Sequence, residues 1–171
     1  RGIGMGTLLE VGAGTGTATV TLLEAGMATG VAYDISPSHE KVAGALLQGR
    51  GLTERVEWHT GDYLDSGDRR PADVVFLNRV VCCYPDGVGL MAAVAPQAER
   101  FLAVSYPRPR WWVRGALRVL NGYLRLRRVP FQVFVHDPEA LAVPAVDSGL
   151  ITAASGRTAM WEWKVWERAD S

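Results

Sequence analysis

Short apolar runs alternate with longer amphipathic segments along most of the chain. Apolar runs bounded by Gly, Pro and Asp are typical of buried parallel strands, and the segments between them have helical periodicity. The predicted strands are segments 7–11, 30–34, 55–60, 72–78, 100–106, 150–154 and 160–167. The predicted helices are segments 15–25, 37–48, 86–95, 111–128 and 138–148, the last with Asp137 as its N-cap. This alternation predicts an α/β fold, a doubly wound sheet with helices on both faces.

The first predicted strand runs directly into a glycine-rich sequence, Gly-Ala-Gly-Thr-Gly at 12–16. Glycines at alternating positions let the backbone turn sharply and approach a ligand closely. A dinucleotide fingerprint would place its third glycine at position 17, which is Thr17. Glu10 is expected near the end of the strand, where its charge would repel a pyrophosphate and attract an ammonium or sulfonium group. The turn therefore predicts a nucleotide-like ligand with a cationic group nearby.

Further polar residues stand where later strands are predicted to end. Asp34 closes the second strand, 18 residues beyond Gly16, where an acid is placed to bind ribose hydroxyls. Residues 61–63 follow the third strand, and Asn78 closes the fourth. Open α/β sheets bind ligands outside the carboxyl ends of their strands. We therefore expect these residues to meet at one edge of the sheet.

Together, these features resemble the class I S-adenosylmethionine-dependent methyltransferases, and the resemblance covers nearly the whole chain. It implies a seven-stranded Rossmann-like sheet of order 3-2-1-4-5-7-6 with strand 7 antiparallel. It also implies S-adenosylmethionine as cofactor and in-line transfer of its methyl group, with the protein mainly aligning donor and acceptor. The residues implied to bind the cofactor are Glu10, Gly12, Ala13, Gly14, Gly16, Asp34, Ile35, Gly61, Asp62, Tyr63 and Asn78.

Two of the matched positions bear on adenine binding and on the acceptor. The resemblance implies that Asp62 accepts a hydrogen bond from the adenine amino group, with Tyr63 or Ile35 packed on the ring. Methyltransferases acting on adenine often carry Asn-Pro-Pro-Tyr where this chain has Asn78-Arg79-Val80, which disfavours a nucleobase acceptor. Segment 74–86 and the following Arg-rich segment resemble small bacterial methyltransferases distantly similar to magnesium-protoporphyrin O-methyltransferase. A small-molecule acceptor is therefore predicted.

The length and composition fit one globular domain, and the resemblance implies that residues 1–171 are a single methyltransferase domain. Of these, 48% are hydrophobic and 21% charged, and the formal net charge of zero gives no reason to expect nucleic acid as a partner. No apolar run reaches the length of a membrane span and no secretory signal opens the chain, which predicts a cytoplasmic protein. Because only six residues precede the first strand, we expect the helix that covers the cofactor in this family to be absent.

The segment 108–128 is unusual because it contains seven arginines and no acid. At about 100° per residue, four of its arginines share a narrow arc, and apolar residues that include Trp112 and Tyr123 occupy the opposite side. Three interpretations stay open. The helix packs on the domain with a solvated arginine face, covers the substrate pocket as part of a 107–136 insertion, or makes weak contact with an anionic membrane surface.

Candidate catalytic residues are few. If the acceptor is a hydroxyl, Tyr84, Asp86 or His136 could remove its proton, and His136 is the preferred candidate because histidine titrates near neutral pH. A carboxylate acceptor would need no base. Cys82 and Cys83 are adjacent and the three histidines are scattered, so no metal site is predicted.

Two alternatives to a methyltransferase remain. A nicotinamide-dependent oxidoreductase, using NAD or NADP, would explain the Rossmann-like half and Asp34, but it leaves Glu10 and Thr17 unexplained. A non-catalytic cofactor-binding module at a membrane surface would explain the basic helix.

Overall fold

A computed structural model describes residues 6–129 and 131–169. The ends of the predicted domain, residues 1–5 and 170–171, lie outside the described residues, as does residue 130 of the predicted insertion. Seven strands form one sheet: β1 Thr7–Val11, β2 Thr29–Asp34, β3 Val56–Thr60, β4 Ala72–Asn78, β5 Ala98–Pro107, β6 Leu150–Arg157 and β7 Trp161–Arg168. Their order is β3-β2-β1-β4-β5-β7-β6, and β7 runs antiparallel to both of its neighbours. The predicted topology is confirmed.

Six α-helices are described around this sheet: α1 Thr17–Glu24, α2 Pro37–Gly49, α3 Tyr63–Ser66, α4 Gly87–Val94, α5 Trp111–Leu126 and α6 Pro138–Asp147. Because side chains alternate along a strand, β1 contributes to a cluster on each face. Leu8 packs with Val20 and Leu23 of α1, whereas Leu9 belongs to the larger cluster that includes Leu90 of α4 and Leu141 of α6. The helices therefore cover both faces, as predicted.

Several predicted boundaries were wrong for local reasons. The first helix begins at Thr17 and not at residue 15, because Gly14 and Gly16 adopt left-handed conformations with φ of 57° and 75°. The Arg-rich helix begins at Trp111, as predicted, because the residue before Pro109 is disfavoured in a helix and the Arg108 amide donates to the Met160 carbonyl; it ends at Leu126, two residues before the predicted end. Gly156 lies inside β6 and not in the hairpin turn.

Helix α5 contacts the rest of the domain through a side other than its apolar one. Val113 is its buried residue, and the Asn121 side chain exchanges two hydrogen bonds with the backbone of Val133, of 2.8 and 2.9 Å. The apolar side, with Val119 and Tyr123, is exposed. The helix therefore contacts the domain through Val113 and Asn121 and not through its apolar side. Within the described residues, no helix is both long and apolar enough to cross a membrane.

Candidate active site

A cavity of about 580 Å³ opens at the carboxyl edge of the sheet, beside the ends of β1 and β2. This volume is within the range of small-molecule sites, roughly 300–1,000 Å³. The predicted site residues that line it are Gly12, Gly14, Asp34, Ile35, Gly61, Asp62, Tyr63 and Tyr84. A cavity of similar volume, about 600 Å³, lies at the amino ends of the strands. We assign the site to the carboxyl edge because ligands of open α/β sheets bind there.

The glycine turn after β1 forms one wall of the cavity. A Cβ atom at Gly12 would overlap the side chain of Val80, so close packing requires glycine at this position. A Cβ atom at Gly14 would meet no atom within 4 Å, because it would project into open space. Ala13 and Gly16 stabilise the turn through backbone hydrogen bonds. The Ala13 amide donates to the Tyr33 carbonyl, and the Gly16 amide donates to the Ala13 carbonyl. The space before Gly14 fits a ligand lying against the backbone.

Asp34 connects this turn to the end of β2. Its Oδ2 accepts a 2.7 Å hydrogen bond from the Gly14 amide, and its Oδ1 accepts a 2.9 Å bond from the Ser36 amide. His39 contacts the same Oδ1 through Nδ1 at 2.8 Å. The side chain is largely buried but lines the cavity. Since each carboxylate oxygen has two lone pairs, these three contacts leave one lone pair, on Oδ2, for a ligand hydroxyl.

Asp62 and Tyr84 form a second polar pair in the cavity wall. Asp62 caps the short helix α3 by accepting from the Leu64 amide, and the same Oδ1 accepts a 2.7 Å hydrogen bond from the Tyr84 hydroxyl. Burial, and then the bond to Asp62, raise the pKa of Tyr84 above its ordinary value. Tyr84 is therefore held as a protonated donor toward Asp62.

Ile35 and Tyr63 contribute apolar surface to the same part of the cavity wall. Ile35 is 70% exposed beside the Asp34 carboxylate. Tyr63 is buried, and its ring meets that of Tyr33 edge-to-face with centroids 5.1 Å apart. Ile35 thus offers a free apolar surface for a ring to cover, whereas Tyr63 mainly stabilises the wall.

Glu10 lies behind the turn and outside the cavity lining. It is buried, and its carboxylate accepts a hydrogen bond from the Thr19 hydroxyl of α1. Burial raises the pKa of Glu10 from 4.5 to about 7. Because Glu10 is outside the cavity lining, the structure does not place it in direct contact with the cavity.

Asn78 and His136 are not brought into the cavity. Asn78 accepts a 2.7 Å hydrogen bond from Ser105 and lines an adjacent groove beside Trp161 and Trp163. His136 Nε2 lies 3.1 Å from the Val81 carbonyl and 3.0 Å from the Tyr84 carbonyl. Because a carbonyl only accepts, this nitrogen is the protonated one, and His136 holds the backbone of segment 81–84 in place.

Several cavity residues were missed by the sequence analysis or ranked low in it. His39 was not singled out, although its position in the first turn of α2, five residues after Asp34, is a signal that it could reach the carboxylate. Cys83, Phe131 and Gln132 line the cavity from segments without a motif. Arg79, which follows β4, borders both the cavity and the adjacent groove, with a φ of 59° and its guanidinium 4.8 Å from the Trp161 ring.

The remaining predictions concern metals and the insertion. Among residues 6–129 and 131–169, no cluster of three or more His, Cys, Asp or Glu side chains could hold a metal ion. Of the predicted 107–136 insertion, Phe131 and Gln132 line the cavity; the other described residues of the insertion, including helix α5, do not.

Comparison with known proteins agrees with this geometry. The model of the methyltransferase domain family matches residues 8–102, more than half of the chain. Magnesium protoporphyrin IX methyltransferase from Synechocystis PCC 6803, with bound SAH, is similar at a TM-score of 0.77 and 18% identity, covering 97% of this chain and 75% of that chain. None of the curated proteins matches.

Two further solved structures share the fold. An O-methyltransferase family protein from Burkholderia thailandensis has a TM-score of 0.72 at 19% identity, over 95% of this chain and 50% of that chain. An O-methyltransferase family 2 protein from Planctomyces limnophilus DSM 3776, in complex with apigenin, has a TM-score of 0.71 at 21% identity, over 97% and 50%. The oxidoreductase and non-catalytic alternatives gain no support from these matches. The chain belongs to the methyltransferase domain family, and the predicted resemblance to class I S-adenosylmethionine-dependent methyltransferases is confirmed.

Proposed function

We propose that the cavity at the carboxyl edge binds S-adenosylmethionine and that the protein transfers its methyl group to a small molecule. The observation that carries this proposal is the bond between Asp34 and the Gly14 amide, which fixes the turn and the acid around one cavity. Asp62 lines that cavity as well. These are the residues that the family resemblance assigned to the cofactor.

The polar residues of the cavity suit the separate parts of this cofactor. Asp34 Oδ2 has one lone pair left for a ribose hydroxyl, and the backbone at Gly14 is open to the ligand. Asp62 Oδ1 is held by Tyr84, so its carboxylate is oriented to accept from an exocyclic amine. Ile35 supplies an apolar surface for the adenine ring. Glu10, charged above pH 7, would attract the sulfonium and ammonium groups from behind the turn.

S-adenosylmethionine supplies an electrophilic methyl group when bound, so the protein's own task is alignment. The acceptor's attack forms its bond to the methyl carbon as the methyl–sulfur bond breaks. None of the three predicted bases is placed to assist. Asp86 caps α4 by accepting a hydrogen bond from the Gly89 amide. The Tyr84 hydroxyl donates a hydrogen bond to Asp62, and His136 lies outside the cavity lining. We therefore assign both residues to positioning, of Asp62 and of segment 81–84 respectively.

These contacts favour an acceptor that needs no base, such as a carboxylate. Arg79 borders the cavity, and with His39 it supplies the basic side chains of the described lining. An arginine binds carboxylates through paired hydrogen bonds. We propose a small anionic acceptor entering beside Arg79. A cytoplasmic location stays a prediction from the sequence.

Calorimetric titration tests the cofactor assignment. We expect S-adenosylhomocysteine to bind the wild-type protein. Asp34→Asn should weaken the free energy of binding by about 1.5–3 kcal/mol, because a hydrogen bond to a charged group is lost. Glu24→Gln, which changes an exposed carboxylate paired with Arg50, is the matched control and should leave affinity unchanged. Binding of NADH without binding of S-adenosylhomocysteine would contradict the proposal.

A labelled methyl donor identifies the acceptor. Incubating the protein with the donor and a metabolite extract, followed by mass spectrometry, should show a methylated small molecule. We expect Arg79→Gln to raise KM for that acceptor with little effect on donor affinity. Labelled nucleic acid with no labelled small molecule would contradict the acceptor class.

A further inference from the structure

Helix α5 presents an apolar surface that the described residues leave uncovered. The exposed fractions are 84% for Trp111, 81% for Leu126, 75% for Val119 and 56% for Tyr123, with Trp112 and Leu120 also exposed. Soluble monomers rarely expose a contiguous apolar patch of this kind without a partner for it. We call this set of six residues the outer face of α5.

The outer face points away from the domain. Val113 is the buried residue of α5, and Leu117 and Asn121, one and two turns further on, border the groove beside segment 133–135. At about 100° per residue, Val119 and Tyr123 lie roughly opposite this contact side. The helix therefore rests on the protein along one side while its apolar side meets the surroundings.

Arginines line one flank of the outer face. Arg114, Arg118 and Arg125 fall on one flank of the helix, between the contact side and the outer face, and all three are exposed. Within the part of the chain that the structure describes, none of the arginines of segment 108–128 forms an ion pair with a carboxylate. The segment contains no acid of its own. Unpaired cations along an apolar stripe call for an anionic partner.

We propose that α5 lies flat on an anionic membrane surface, with its outer face in the boundary between headgroups and acyl chains. Trp and Tyr side chains favour that boundary, and the arginine stems reach from it to lipid phosphates. Surface helices with an apolar face and a basic flank bind such membranes by both effects. This inference stands without the proposed function.

The charge pattern favours a membrane over a second copy of the chain. In a two-fold dimer through the outer face, each arginine flank would approach another copy of the same surface, which contains no acid to pair with it. Like charges brought together across an interface oppose association. An anionic lipid surface supplies counter-charges along the whole helix.

Docking through α5 would place the cavity near the membrane. The Asn121 side chain holds the backbone of Val133, and Phe131 and Gln132, just before it, line the cavity. The proposed lipid-binding helix is thus hydrogen-bonded to the segment that contributes Phe131 and Gln132 to the cavity wall.

Vesicle co-sedimentation of the full chain tests the proposal. We expect the protein to pellet with vesicles of phosphatidylcholine and phosphatidylglycerol, and the pelleted fraction to fall as salt rises. Arg118→Gln should lower the partition coefficient about fivefold, since one basic residue near an anionic surface contributes about 1 kcal/mol. Val119→Asp should lower it by roughly tenfold or more at any salt concentration, because it puts a charge in the buried stripe.

The matched control is on α2, where Lys41→Gln and Val42→Asp make the same chemical changes at exposed positions. Both should bind vesicles as the wild type does, and circular dichroism should show every variant folded. Wild-type protein left in solution, equal binding to pure phosphatidylcholine, or binding unchanged by Val119→Asp would each overturn the proposal. A dimer that Val119→Asp converts to monomer, without vesicle binding, would assign the outer face to a second copy.

Discussion

The backbone amide of Gly14 donates a 2.7 Å hydrogen bond to Oδ2 of Asp34. These residues lie 20 positions apart, one in the turn after β1 and the other at the end of β2. Their bond holds the turn in shape through the protein's own contacts, so little ordering is left for the ligand to impose. Preorganisation of this kind lowers the entropy cost of binding.

Gly14→Ala is expected to fold but to bind the cofactor poorly. The new methyl group would project into open space before the turn, where the ligand must lie. We expect S-adenosylhomocysteine affinity to fall by about 1.4 kcal/mol or more, roughly tenfold, in calorimetry.

Gly51→Ala separates this steric effect from backbone strain. Gly51 has φ of 65°, close to the 57° of Gly14, and a Cβ there also meets no atom within 4 Å, but the residue lies outside the cavity. Both variants should lose about 1–2 kcal/mol of stability from the left-handed conformation. Equal affinity in the two variants would remove Gly14 from the site.

Tyr84→Phe and His136→Gln are expected to alter stability without changing the pH profile of kcat. Tyr84→Phe leaves a partly buried carboxylate without one donor, which costs about 1–3 kcal/mol. His136→Gln breaks contacts to two carbonyls of segment 81–84. A profile that loses its basic or acidic limb in either variant would restore that residue as a general base.

Glu10→Gln tests the buried carboxylate through pH. Because the pKa of Glu10 is about 7 in the folded protein and 4.5 ordinarily, the native state holds this proton to higher pH than the unfolded chain. The contribution of Glu10 to stability therefore falls as pH rises from about 4.5 to about 7 and stays low above that.

Glutamine keeps the acceptor for Thr19 and has no charge to bury. Urea denaturation at pH 8 should find the Gln variant more stable than the wild type, by at most about 3 kcal/mol, with the difference vanishing near pH 4.5. The exposed Glu24→Gln serves as control. A difference that is the same at both pH values would show that Glu10 does not titrate in this window.

Cys83 offers a chemical probe of cavity occupancy. It lines the cavity, and a hydrogen bond with the neighbouring Cys82 thiol lowers the pKa of the Cys83 thiol, whereas Cys82 is buried. We expect N-ethylmaleimide to modify Cys83 first and S-adenosylhomocysteine to slow that reaction, measured by peptide mass spectrometry. Alkylation of Cys83 at an unchanged rate under saturating ligand would place the ligand elsewhere.

The parts of the site that the sequence predicts are those encoded locally. The turn at 12–16 and Asp34 follow strands whose ends a short pattern identifies, and a parallel sheet brings such ends to one edge. The order of the strands required the family resemblance, because periodicity within a strand does not determine its neighbours.

Long-range contacts explain what the sequence left open. His136 contacts the carbonyl of Val81, 55 residues away, and no sequence pattern predicts that contact. Helical periodicity identifies an apolar side in α5 but not what covers it. The contact side is marked by the buried Val113 and by Asn121, which pairs with Val133. Hydrophobic patterning does not reveal this hydrogen-bonded pair, so it could not predict which side of α5 contacts the domain.

The same Asn121 pair changes how a mutational scan of this protein would be interpreted. Asn121 lies outside the cavity, yet its two bonds hold the backbone next to Phe131 and Gln132 in the cavity wall. A screen that selects for methyl transfer would therefore score Asn121 alongside residues that touch the ligand. Sensitivity at this helix position would report the shape of the cavity wall rather than contact with substrate.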